Sequence, residues 1–186
     1  MFGIVILVVL VLAVLWLVGQ FNGLVGLRNQ VQNAWAQIDV QLKRRADLIP
    51  NLVNTVKGVM KFEQDTLEKV MNARARAMSA TTVADRGAAE NEVSQGLGRL
   101  LAVMENYPEL KSNQNALQLQ EELSATENKI GFARQFYNDI VMKFNTSQQV
   151  FPTNIIAGMF NFKTADMLQV AEADRVVPTV NLSTTA

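Results

Sequence analysis

FGIVILVVLVLAVLWLV, residues 2–18, contains no polar or charged side chain, and its reading decides the fold. At 1.5 Å per residue the run makes a helix of roughly 25 Å, and residues 19–25 can lengthen it toward what a bilayer requires. A helix apolar on every side needs lipid or a large protein around it, and a chain of 186 residues has no second layer to supply the latter. A membrane anchor over residues 1–22 is therefore expected, with Phe2, Ile4, Leu7, Leu10, Leu15, Trp16 and Val18 among its apolar side chains. A cleaved secretion signal is the competing reading. It fits less well, because no Lys or Arg precedes the run and no small-x-small site follows it; Leu17, Val18 and Gly19 come nearest. The N-terminal side carries only its terminal amine and Arg28 is the first positive side chain beyond, so the positive-inside rule points to an outside N-terminus and a cytoplasmic body. Lys43, Arg44 and Arg45 lie past the usual counting window.

Composition narrows the chemistry of the remainder. Seventeen Lys and Arg residues match seventeen Asp and Glu, scattered along the chain, so no basic stripe points to nucleic acid as a partner. The chain has no Cys, which removes disulfides and thiolate nucleophiles and fits a reducing compartment. It also has no His, which excludes Ser-His and Cys-His machinery, His-bearing zinc sites and the Glu-x-x-His pairs of di-iron bundles. Neither a metal nor a cofactor is expected.

Beyond the anchor the pattern is helical throughout. Leu24, Leu27, Val31, Ala34, Ile38 and Leu42 recur at spacings of three and four, with Trp35 flanking the stripe as a large packing residue. Pro50 predicts a break, either a sharp kink or a very short turn in which Asp47 could cap the next helix. Leu52, Val53, Val56, Val59, Met60, Leu67, Val70 and Met71 then supply a second apolar face. Thr82 and Asp85 are placed as a capping box for a third helix carrying Val93, Leu97, Leu100 and Met104. Gly96 and Gly98 within it suggest close helix approach rather than a phosphate loop, since no strand precedes them. Leu119, Leu123, Thr126, Ile130, Ala133, Tyr137, Ile140 and Phe144 alternate steps of four and three, a heptad seam of coiled-coil type. A short apolar segment, residues 151–163, follows; Thr153 is placed to cap it, and Phe151, Ile155 and Phe160 are its packing candidates. It can dock on the bundle, or touch the membrane or a second subunit. From residue 164 the pattern dissolves, and residues 164–186 read as a loose polar tail. The expected fold is all-α: an N-terminal transmembrane helix, then an antiparallel up-and-down bundle of three to four long helices in residues 23–150.

LRNQVQNAWAQIDVQLKRRADLIPNLVNTVKG (27–58), YPELKSNQNALQLQEELSATENKIGFARQFYNDIV (107–141) and FPTNIIAGMF (151–160) together resemble the LemA family of bacterial membrane proteins. The resemblance covers most of the chain outside the anchor and tail. It implies a single-pass protein of the inner membrane with a short outer terminus and a cytoplasmic bundle, and it implies no defined enzymatic activity. The sequence departs from the family pattern where a Tyr and a His-Glu pair would follow Lys57-Gly58: here stand Val59 and Phe62-Glu63. A role resting on that His, metal binding included, lacks its residue in this chain. The aromatic-acidic ending expected after Phe162-Lys163 is replaced by residues 164–167, TADM.

The polar residues worth weighing are Asp39, Arg44, Arg45 and Asp47 on the first helices, and Glu122, Glu127, Asn128, Arg134 and Asn138 on the last. Glu127, Arg134 and Asn138 share a face at spacings of seven and four. Set opposite Asp39 and Arg44, they would form a polar layer that fixes register while adding little net stability. A solvated face explains the same spacing equally well, and a catalytic carboxylate pair is the third reading. Two functions follow. One is a membrane-anchored interaction or scaffold protein whose partners are membrane lipid, further copies of itself and other membrane proteins. The other is a small-ligand binder or enzyme using the carboxylates of Asp39, Glu63 and Glu127 between helices.

Overall fold

The computed structural model describes residues 1–168, and among these every regular element is helical. Six helices follow in order: α1 (Phe2–Val56), α2 (Gln64–Ser79), α3 (Val83–Met104), α4 (Pro108–Lys111), α5 (Gln114–Gln149) and α6 (Thr153–Met159). The expected all-α architecture is correct. Its first element differs from expectation: the apolar run and the first bundle helix are one uninterrupted 55-residue helix, continuous through residues 22 and 23 and without the break expected at Pro50. The boundary expected at residue 22 is thus internal to α1, Asp47 caps nothing, and the first turn lies at residues 57–63.

Pro50 is tolerated inside α1 because another group replaces what it removes. Proline has no N–H, so the carbonyl four residues back, that of Ala46, loses its helical donor. Arg74 of α2 donates its Nε–H to that oxygen at 2.5 Å. The proline therefore marks a cross-helix contact rather than a chain reversal.

Three apolar clusters are strung along α1. Leu24 packs with Ile156 and Ala157 of α6. Val31, Ala34, Ile38 and Leu42 meet Ile130, Tyr137, Val141 and Phe144 of α5, which runs antiparallel to α1. Ile49, Leu52 and Val56 meet α2, α3 and the start of α5 through Leu67, Val70, Val93, Leu100 and Leu123. The α2–α3 hairpin closes tightly at Gly96, where an added Cβ would stand 3.3 Å from Val70 Cγ2; at Gly98 it would meet open space. Thr82 caps α3 by accepting the Asp85 N–H at 3.1 Å, and Asn113 caps α5 through Ala116 N–H, also 3.1 Å.

The C-terminal turn is sharp. Asn161 adopts a left-handed φ of 52°, the Asn161 N–H bonds Gly158 O at 3.2 Å and the Phe162 N–H bonds Ala157 O at 2.9 Å, which together form a Schellman cap. The expected cap at Thr153 is not formed; its hydroxyl bonds Gln20 Oε1 at 3.1 Å instead. The tail expected from residue 164 is also not loose where it is described. The Asn145 amide holds both the N–H and the C=O of Ala165 at 2.9 Å, and Asn138 holds both groups of Leu168 at the same distance. Between them Tyr137 donates its hydroxyl to Asp166 O at 2.9 Å. Seven helical residues rise about 10.5 Å and three extended residues about 10 Å, so a heptad of α5 matches a three-residue step of this strap. The rest of the expected tail lies outside the described residues.

Candidate functional site

On α1 the stripe Ile38, Leu42, 45, Ile49, Leu52, Val56 keeps its three-four rhythm, so position 45 faces the core although it holds Arg. On α3 the stripe Val93, Leu97, Leu100, Met104 extends back to position 90, which holds Glu. The two charged residues meet at the junction of the α1–α5 cluster with the α1–α2–α3 cluster. Arg45 is 1% exposed. Its Nη1 donates to Glu127 Oε1 and Oε2 at 2.8 and 2.5 Å and to Ser94 Oγ at 2.8 Å. Its Nη2 donates to the Glu90 carboxylate and, at 3.2 Å, to the Glu90 carbonyl. Ser94 also hydrogen-bonds Glu127. A guanidinium fork satisfied on both prongs by carboxylates is the geometry in which a buried charge is tolerable.

The network continues outward through α3. Arg86 pairs with Asp39 of α1 at 2.6 Å and lies 3.9 Å from Glu90 Oε1. Its Nε–H is buried and, among the described residues, donates to no hydrogen-bond acceptor. A cleft of about 220 Å³ opens beside these groups, lined in part by Asp39, Lys43, Asp47, Arg74, Arg86 and Glu90.

The polar residues are therefore distributed differently from a single layer set between α1 and α5. Glu127 is in the network, but its partner is Arg45, one position beyond Arg44. Arg44 points outward and stands 3.6 Å from Glu122. Asp39 faces α3 rather than α5. Arg134 bonds Asn91 Oδ1 at 2.8 Å, Asn138 holds the strap, Asn128 is exposed, and Asp47 is exposed at the cleft's rim. Glu63 does not join Asp39 and Glu127: it sits in the α1–α2 turn, where the Tyr107 hydroxyl reaches it at 3.3 Å. Glu90, Ser94 and Arg86 had no place in the sequence reading, although the backward extension of the α3 stripe to position 90 is a signal for the first. Trp35 packs edge-on against buried Tyr137, with ring centroids 5.6 Å apart. Burial first, and the Asp166 carboxylate second, push the Tyr137 phenol above its ordinary pKa. Phe151, Ile155 and Phe160 are exposed, although the Phe160 ring lies 4.7 Å from that of Phe21.

Among the described residues, α1 is the one helix long and apolar enough to cross a membrane, and none of its most apolar window is buried. Together these features define a class: an all-α protein in which an exposed apolar helix runs without interruption into a bundle tied by a buried Arg-Glu network. The chain belongs to the LemA family, whose sequence pattern matches residues 34–182. It is 30% identical over 161 residues to Protein LemA of Metamycoplasma hominis, an alignment covering 86% of this chain and 73% of that protein. It is also similar to the magnetosome proteins MamQ 2 and MamQ 1 of Paramagnetospirillum magneticum, each 25% identical over 176 residues, covering 81% of this chain and 65% of theirs. This chain thus spans just under two thirds of the MamQ proteins' length.

Proposed function

We propose that this protein is a membrane-anchored interaction scaffold: residues 2–18 cross the inner membrane once, and the bundle stands on the cytoplasmic side, where it assembles with further copies of itself or with other membrane proteins. The observation that carries this reading is the continuity of α1. One helix holds both the exposed apolar run and the seam of the bundle, so the bundle is held by a rod rather than tethered by a linker. The interaction face is the exposed patch of Val40 on α1 with Phe132 and Phe136 on α5, apolar side chains flanking a shallow groove between the two helices. The Arg45 network fits a register-fixing role. Light scattering of the full-length protein in nanodiscs, beside a chain beginning at Leu24, tests the reading. A defined assembly of the full-length protein, weakened but not abolished in the truncated chain that keeps the Val40–Phe132–Phe136 face, is the expected result; monomers in both preparations would remove self-assembly from the account.

A second reading is favoured by one specific feature, the buried, unbonded Nε of Arg86 beside the cleft. A small ligand bearing a hydrogen-bond acceptor would satisfy that donor. Under this reading Arg86→Gln abolishes ligand binding while leaving the unfolding midpoint within a few degrees of wild type. A large loss of stability instead returns Arg86 to the structural network.

A further inference from the structure

The C-terminal helix α6 presents a problem that the bundle does not solve. Its sequence TNIIAGM is apolar on two opposite sides. Ile156 and Ala157 are buried against Leu24 and Phe21. The other side carries Ile155 and Met159, one turn apart, at 53% and 74% exposure, and Phe160 and the preceding Phe151 extend the open apolar surface. A short helix on the outside of a bundle has no reason to carry a second, outward apolar side if water surrounds it.

Its position along α1 supplies the reason. The apolar run ends at Val18, and α6 clasps α1 within the next turn and a half, at Gln20, Phe21 and Leu24. Residues 2–18 span about 25 Å, whereas a bilayer's hydrocarbon core is about 30 Å thick. The shortfall of about 5 Å is roughly three residues, which brings the membrane surface to the level of Gln20 and Phe21. The first polar side chain after the run, Gln20, is half-buried and paired with Thr153, as a polar group at the edge of a water-poor layer must be. Cations sit about two turns further out: Arg28 lies over the Phe162 ring, 5.6 Å from its centroid, and exposed Lys163 follows. Both are placed to reach lipid headgroups, as basic side chains do beside a membrane.

We propose that α6, with Phe151 and Phe160, is a membrane-seated collar. It lies in the inner-leaflet interface against α1, buries Ile155 and Met159 among acyl chains, and completes a crossing that residues 2–18 alone leave short. The collar gives the protein a second lipid contact, fixed to the anchor by the Phe21–Phe160 and Gln20–Thr153 contacts, and so sets the tilt of the bundle as well as its attachment. The proposal rests on the anchor reading of residues 2–18.

The native chain has no Cys, so single-cysteine variants of the full-length protein report one position each. Ile155→Cys, Met159→Cys, Leu10→Cys and, on the exposed side of α2, Glu68→Cys, labelled with bimane and reconstituted in phosphatidylcholine vesicles with a minority of phosphatidylglycerol, are exposed to acyl-brominated lipid and separately to aqueous iodide. The expected result is quenching by brominated lipid at 155, 159 and 10 that exceeds the quenching at 68 by about twofold or more, with iodide reaching 68 alone. Iodide quenching at 155 and 159 while Leu10→Cys reports lipid overturns the collar and leaves the anchor standing. Shielding of 155 and 159 from both quenchers also overturns it, because a protein surface then covers the patch. Failure of brominated lipid to reach position 10 defeats the anchor reading, and the collar with it.

Discussion

Arg45 occupies a place where an aliphatic residue would continue the stripe of α1, and its two carboxylate partners come from two other helices. Such a network contributes little net stability when intact but costs much when broken, because the remaining charges lose their counter-ion. Arg45→Ala should therefore destabilise the bundle by roughly 3 kcal/mol in urea unfolding, and Arg45→Lys should recover little of that, since one ammonium cannot serve both carboxylates in a fork. A loss below that of an ordinary surface substitution would contradict the assignment. Arg74 and Pro50 form a second residue-level test. Arg74→Ala leaves the Ala46 carbonyl without a donor, at a cost of about 1–3 kcal/mol. In a Pro50→Ala background the helix supplies its own N–H, so the same substitution should cost measurably less; equal losses in the two backgrounds would sink the link between them. Tyr137 gives a pH signature. Its phenol titrates above the ordinary value in the folded protein, so the neutral form stabilises the fold fully below about pH 10, and that contribution fades as pH rises toward the raised value. Wild-type stability should fall more steeply than that of Tyr137→Phe above about pH 10, whereas parallel profiles would show that neither burial nor the Asp166 carboxylate raises the phenol.

At the scale of elements, the α2–α3 hairpin distinguishes two glycines that look alike in sequence. Gly98→Ala should stabilise by up to about 1 kcal/mol, because Ala is the better helix former and its methyl meets open space. Gly96→Val should destabilise, because its branched side chain must enter the contact with Val70. Thermal unfolding of the two variants, shifted in opposite directions, is the expected result; like-signed shifts would deny the close approach. The sequence made most helices legible for a simple reason: each buries one stripe at three-four spacing, and caps such as Thr82 stand where the stripes begin. Two features escaped it. Pro50 signals a helix break by its usual effect, and the rescue of Ala46 by Arg74 joins residues distant in the chain. The strap over residues 165–168 has no internal periodicity of its own; its order comes from Asn138 and Asn145, whose spacing of seven is visible only from α5. The candidate site was half legible. Glu127 lies on the face its spacing marks, whereas Arg45 was obscured by an expected break and Glu90 by the habit of ending an apolar stripe at its last apolar residue.

Across the whole molecule, α1 orders everything else. The α6 contact, α1–α5 pair, charged junction and α2–α3 hairpin succeed one another along a single helix, so the distance of each from the apolar run is set by its register on that helix. A hinge at Asn22-Gly23 would leave the same contacts in place below it and dissolve this coupling. The most direct test is a spin-label distance between Leu12→Cys and Asn33→Cys in the full-length protein in nanodiscs, measured by double electron–electron resonance. An unbroken helix predicts one narrow distribution centred near about 32 Å. A broad distribution, or one centred well below that value, would place a joint between the membrane run and the bundle and contradict the account.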